Sequence, residues 1–240
     1  MDIGIVSLSS CSGCQVAILD QKEILARMLT SIKFATTILD VRELPKVDCC
    51  LVEGAVRTEE DLEKLKDARE KSDLLVAIGS CSTYGGIQAL GNLDTPVEFL
   101  QKVSGTAENP FTDSPPLLPR LASIDRFVEV DYYIPGCPPS ESVLLQALPL
   151  VLSGKEIQMT DKHRLPVCSE CVRKIEHREL TTLESVTIPD KEVCLLSQGY
   201  ICLGSVTRGG CGAQCPDTNM PCSGCRGPTD RVLTMPTHTV

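Results

Sequence analysis

Fourteen cysteines in 240 residues constrain this chain more than any other feature. At that density cysteines either staple a small secreted fold or ligate metal, and the redox compartment decides between the two. The amino terminus, Met1-Asp2-Ile3-Gly4-Ile5-Val6-Ser7-Leu8, enters strand-like sequence at once, without the basic and apolar regions of an export signal. It carries no twin arginine, and no stretch has the length and apolarity of a transmembrane helix. The expected compartment is the cytoplasm, where thiols stay reduced, so metal ligation is the expected use of these cysteines.

They fall in two contrasting stretches. Up to about residue 155 short apolar runs alternate with amphipathic segments, the pattern of a parallel sheet with helices on its faces. The spacing predicts strands over 3–8, 34–39, 49–52, 74–78 and 127–134, and helices over 16–29, 59–71 and 140–152. The second helix opens on Thr58 as N-cap, with a carboxylate three residues on. The stretch 94–120, rich in Pro and polar residues, is expected to be an extended loop. From Thr160 the periodicity is lost: Tyr200 is the sole aromatic residue, Gly and Pro are frequent, and eight of the cysteines crowd together. A segment so poor in core-forming side chains needs metal sites or bridges to hold one structure. The expected division is therefore 1–159, an α/β domain, and 160–240, a small irregular domain.

In the first domain Cys11 and Cys14 follow the first strand, Cys81 follows the strand over 74–78, and Cys137 follows the strand over 127–134. All four thus sit at carboxyl ends of predicted strands, which share one edge of an open parallel sheet, the edge where ligands bind. Four thiolates at one rim make a metal site. Glu53 ends a strand facing the same edge and has two readings: a solvated surface carboxylate, or a group that supports the ligands or handles protons. Gly13, Gly79, Gly85, Gly86 and Gly136 likewise admit two, close backbone approach to a bulky cluster or ordinary turn chemistry.

The second domain holds Cys168-x2-Cys171, Cys194, Cys202, Cys211-x3-Cys215 and Cys222-x2-Cys225, which is two sets of four. Cys49 and Cys50 are left over, as core or surface thiols on opposite faces of a strand. Zinc and iron–sulfur clusters both take four cysteines, and spacing does not choose between them in the second domain; the rim favours iron–sulfur, because a structural zinc has no need of a crevice. A zinc-stapled interaction module without a redox role is the alternative. Flavin at the rim is a third reading, since the loop from Ser9 to Cys14 is Ser-rich as phosphate loops are, although two cysteines are out of place there. With Asp+Glu 32 against Lys+Arg 23, a net charge of −9 and no basic run, neither nucleic acid nor a membrane surface is an expected partner.

In their order, Cys11-Ser-Gly-Cys14, Val52-Glu-Gly-Ala-Val56, Gly79-Ser-Cys-Ser-Thr-Tyr-Gly-Gly-Ile87 and Ile134-Pro-Gly-Cys-Pro-Pro-Ser140 resemble the signatures of the small, electron-transferring subunit of nickel–iron hydrogenases. The resemblance runs end to end, through Cys194-Leu-Leu-Ser-Gln-Gly-Tyr-Ile-Cys-Leu-Gly204 and Pro221-Cys-Ser-Gly-Cys-Arg-Gly-Pro228. It implies an α/β, flavodoxin-like parallel-sheet domain followed by an iron–sulfur domain, and three [4Fe–4S] clusters. Cys11, Cys14, Cys81 and Cys137 would hold the proximal one, Cys168, Cys171, Cys194 and Cys202 the distal one, and Cys211, Cys222 and Cys225 three corners of the medial one. Where many relatives have a distal histidine this chain has Cys168, and His163 is out of register, a surface histidine. Where those relatives have proline it has Cys215, which would complete a medial [4Fe–4S] cluster of lower potential. Both departures resemble the cytoplasmic members of the family. The implied partners are a large subunit carrying the nickel–iron centre, where H2 is split, and an electron-accepting flavoprotein or iron–sulfur subunit linked to a deazaflavin, a heterodisulfide or nicotinamide. Arg208-Gly-Gly-Cys211 and Met220-Pro221-Cys222 depart from the nickel-ligating motifs, so this chain itself is a poor nickel subunit.

Overall fold

Runs of Ile, Val and Leu with no polar alternation make strands suited to a sheet covered on both faces. The computed structural model describes residues 1–22, 26, 31–36, 43–106, 115–153, 165–176 and 188–235. Its strands are β1 (Ile3–Ser7), β2 (Ile32–Ala35), β3 (Val47–Glu53), β4 (Val56–Thr58), β5 (Ser72–Ile78), β6 (Leu117–Ala122) and β7 (Tyr132–Ile134). Five form one parallel sheet in the order β2-β1-β3-β5-β7, while β4 and β6 pair antiparallel. β1 runs beside β3 from Ile3 against Cys49 to Ser7 against Glu53, and β5 ends beside β7 with Ile78 against Ile134. The carboxyl ends of β1, β3, β5 and β7 therefore lie along one edge. This is the doubly wound, flavodoxin-like order, with its switch point between β1 and β3.

The two-residue period of the strands sorts their side chains into two apolar layers. Ile3, Ile5, Cys49, Leu51, Val76 and Ile78 face one side, where they pack with Ile18, Leu144, Leu148 and Val151 of the helices Gly13–Leu19 and Glu141–Leu152. Val6, Cys50, Val52, Leu75 and Ala77 face the other, against Leu65 and Ala68 of the helix Glu59–Glu70. Cys49 and Cys50 are wholly buried, one in each layer. The helix Glu59–Glu70 opens with a full capping box between Thr58 and Asp61.

Contacts divide the chain into two units, Met1–Ile157 and Gln158–Val240. The second has little regular structure: short helices at Gln214–Asp217 and Asp230–Leu233, 3-10 turns, and isolated bridges such as Pro166 with Arg208 and Lys174 with Val193. One buried cluster joins Val167, Ala213 and Cys222, with Cys171, Cys202 and Cys211 packed around them, so cysteine makes up much of it; Val193 and Leu195 are buried as well.

Three expectations are corrected. The stretch 94–120 is not one loop: Pro96–Ser104 is a helix and Leu117–Ala122 is β6. Pro96 occupies the first turn of that helix, where proline is favoured, behind a capping box of Thr95 and Glu98. Only Tyr132–Ile134 of the expected strand 127–134 is extended in the sheet. Just before it, the Asp131 carboxylate accepts the backbone N–H of Leu75 at 2.7 Å and an Arg69 N–H at 2.7 Å. The helix expected over 16–29 begins earlier, at Gly13; most of its second half, positions 37–39 of the expected strand 34–39, and His163 lie outside the described residues.

Candidate metal centre

β1 delivers the chain to the rim at Ser7, directly opposite Glu53 at the end of β3. Glu53 is 1% exposed, which overturns the reading of a solvated carboxylate. β3 is an interior strand, and the loop after β1 folds over its end. A buried carboxylate costs several kcal/mol unless donors surround it. Here Oε1 accepts from the hydroxyls of Ser7 at 2.9 Å and Ser10 at 3.3 Å, and Oε2 accepts from the backbone N–H of Cys14 at 3.1 Å. Glu53 thus holds the loop carrying Cys11 and Cys14 in place. A second anchor is Asp61, whose Oδ2 accepts from the Ser9 hydroxyl at 2.7 Å while also capping its own helix through the N–H groups of Arg57 and Thr58.

Cys81 lies in the short helix Gly79–Tyr84, whose first turn is tied to the Cys137 segment by Ser80 N–H donating to Gly136 O at 2.8 Å. Gly79 has φ +87, and a Cβ there would overlap Cys14 Sγ, so only glycine admits this approach. The four rim thiols feel one another. Burial pushes Cys14 far up, and the nearby charges of Glu53, Cys81, Cys11 and Cys137 add to it. Cys81 is pushed up to about 11 by burial, then by Cys137, Cys11 and Glu53. Cys137 is raised by burial and by Cys11. Four sulfurs that repel as thiolates are a donor set that calls for a cationic group among them, and Cys11 and Cys137 remain exposed to receive it.

In the second unit, burial raises Cys168 first, followed by Cys202, Cys171, Cys194 and then Cys222. Cys215 is raised by burial, then by Cys222, Cys211 and Cys202. Cys222 is raised by burial and by Cys202 and Cys225, against hydrogen bonds from Gly224 N–H and the Thr207 hydroxyl. The two sequence-predicted sets meet where the Cys222 N–H donates to Cys202 Sγ at 3.3 Å. A Cβ on Gly204 would stand 3.4 Å from Cys168 Sγ and 3.7 Å from Cys202 Sγ. The Glu170 carboxylate accepts from the N–H groups of Gly210 and Gly212, on either side of Cys211. Among the described residues no three Cys, His, Asp or Glu side chains are gathered closely enough to share a single ion. The donor chemistry and the glycine-lined approach fit a cluster.

Sequence reasoning named the cysteines but not the groups that hold their loops: Ser7, Ser9, Ser10, Asp61 and Glu170. Only the register of β1 on β3 could have paired Ser7 with Glu53.

Residues 11–151 match the family described as NADH ubiquinone oxidoreductase, 20 Kd subunit. A subunit of the vhu F420-non-reducing hydrogenase of Methanocaldococcus jannaschii is 40% identical, over 96% of this chain and 83% of that relative. Among solved structures, an NAD+-reducing [NiFe]-hydrogenase in its H2-reduced state aligns with TM-score 0.59 and 30% identity over 65% of this chain and 93% of its own. The [NiFeSe]-hydrogenase of Dm. baculatum shares the fold over 100% of this chain and 99% of its own, with TM-score 0.61 at 19% identity. A likeness that runs the length of the chain, on this fold and with this rim, makes the protein a member of the nickel–iron hydrogenase small-subunit family, part of an oxidoreductase complex.

Proposed function

We propose that this chain relays electrons one at a time between the nickel–iron site of a large subunit and an acceptor subunit, during reversible oxidation of H2 to two protons and two electrons, through three [4Fe–4S] clusters. The observation that carries the reading is the convergence of Cys11, Cys14, Cys81 and Cys137, from three strand ends, around a loop that Glu53 locks. When bound, the clusters supply one-electron redox centres whose potentials the surrounding protein sets. The chain's own residues bind and orient. Cys11, Cys14, Cys81 and Cys137 hold the proximal group within 1–159; Cys168, Cys171, Cys194 and Cys202 hold the distal group, and Cys211, Cys215, Cys222 and Cys225 the medial group, within 160–240. Glu53 keeps the Cys14 amide aligned, and Gly79 leaves room for its sulfur.

The partner reading has support in the segment that follows Cys81. Directly after the Cys81 turn, Ile87, Leu90, Leu93, Val97 and Val103 are each more than half exposed. Isolated surface apolar residues are ordinary, but a run of five is the kind of surface that an obligate partner covers, here the large subunit. Fourteen cysteines, none of them in a disulfide, suit a reducing cytoplasm. Among the described residues no helix is long and apolar enough to cross a membrane. The acceptor is an electron-accepting flavoprotein or iron–sulfur subunit of the deazaflavin-, heterodisulfide- or nicotinamide-linked kind.

The test is to expose the anaerobically purified complex to H2 and then to dithionite, with and without the substitution Cys14→Ser. In the unaltered complex H2 should bleach the visible iron–sulfur absorbance. In the variant the second-unit clusters should stay oxidised under H2 yet be reduced by dithionite. Reduction of those clusters by H2 at the unaltered rate, in a variant that has lost the rim cluster, would sink the relay order.

A further inference from the structure

Arg173 lies two residues beyond Cys171 and is only 9% exposed. Its guanidinium makes five hydrogen bonds. Nε and Nη2 donate to Pro216 O at 3.0 and 2.8 Å, Nη2 donates to Asn219 Oδ1 at 2.6 Å, and Nη1 donates to Asp190 O at 2.7 Å and Val193 O at 3.0 Å. These acceptors belong to two segments, one running into Cys194 and the other leaving Cys215. The planar fork therefore straddles a segment from each of the two second-unit cysteine sets, which an ammonium on a flexible stem would do less rigidly. All four acceptors, Pro216 O being shared by two of the bonds, are neutral carbonyl or amide oxygens. A cation buried against neutral oxygens is costly unless negative charge lies nearby. The carboxylates at hand are spoken for or open to water: Glu170 is bound to the amides beside Cys211, and Asp217 is exposed. Lys191, lining the same small cavity, adds positive charge rather than balancing it. The negative groups that would answer Arg173 are the thiolates of Cys171, Cys194 and Cys215, once they hold a cluster.

We propose that Arg173 is a positioning residue that raises the reduction potential at both second-unit sites. Each electron accepted there adds one negative charge, which a nearby buried cation favours. The inference rests on the cluster reading above.

The experiment is an anaerobic redox titration of the purified complex, followed by electron paramagnetic resonance, with iron counted in every sample. Arg173→Gln removes the charge. Asn219→Asp keeps an oxygen for Nη2 and neutralises the fork with an isosteric carboxylate, while giving up the bond that Asn219 Nδ2 donates to Pro189 O at 2.9 Å. In both, the ratio of reduced to oxidised second-unit cluster at fixed poise should fall about tenfold, a midpoint 59 mV lower for a one-electron couple, while Arg173→Lys should stay within about twofold of the unaltered protein. Full iron with unmoved midpoints in Arg173→Gln or Asn219→Asp overturns this inference and leaves the relay standing. Loss of iron from both also overturns it, because the residue's part would then be structural alone. Absence of second-unit iron in the unaltered complex overturns the relay reading, and this inference with it.

Discussion

A buried thiol is inert only while it keeps its proton. Burial pushes Cys49 up to about 12, with Asp131 and Asp48 adding to it. Cys50 is raised further by burial and by Cys49, against the opposing charge of Arg69. Both start from an ordinary value of 9.0, so above that pH the unfolded chain has released protons that the folded chain still binds. Stability is then whole below pH 9 and falls as pH rises toward the folded values, a loss on the order of a few kcal/mol. Thermal unfolding between pH 7 and 11 should show a falling midpoint above pH 9, and Cys49→Ala should flatten that fall while leaving the iron content unchanged. An equally steep fall in the variant would place the alkaline sensitivity elsewhere. At this scale the sequence set Cys49 and Cys50 apart as strand thiols, and both are buried in the core, but it left Glu53 between two readings. Its burial depends on which loop covers the end of β3, and that is a matter of register between residues 46 positions apart.

Elements were legible wherever a face is buried. The helix Glu59–Glu70 buries Leu65 and Ala68 and carries its start signal in Thr58 and Asp61, so its period and its cap agree. The helix Pro96–Ser104 has no buried residue: its apolar side chains Val97 and Val103 are open to solvent, and its Thr95–Glu98 capping box stands before a proline that resembles a breaker. β6 carries Pro119 inside a two-stranded sheet, the edge setting in which proline is tolerated. The capping box of the helix Glu59–Glu70 also carries load for the rim, because Asp61 Oδ2 bonds Ser9 as well as two amides. Thr58→Ala should cost about 1 kcal/mol, the usual value of a lost N-cap. Asp61→Ala should cost about 2–3 kcal/mol, since it strands several part-buried donors at once. It should also loosen iron at the rim. Urea unfolding of the two variants checks the difference, and equal losses would show that the Ser9 bond contributes nothing to the loop.

The whole molecule joins two strategies for holding a chain together. The unit Met1–Ile157 has two apolar layers about a parallel sheet and folds as doubly wound sheets do, with its thiols displayed at one rim. The unit Gln158–Val240 packs Val167 and Ala213 among cysteines, and its order is expected to depend on what those cysteines bind. The family and the fold account for that arrangement; the number and kind of metal groups are the claim most exposed to test. The direct measurement is iron, zinc, nickel and acid-labile sulfide in the complex isolated anaerobically from its native host. Three cubanes predict about 12 irons per chain with matching sulfide, no zinc, and nickel confined to the copurifying large subunit. Zinc in the cysteine sites with no acid-labile sulfide would contradict the relay and leave a stapled interaction module in its place.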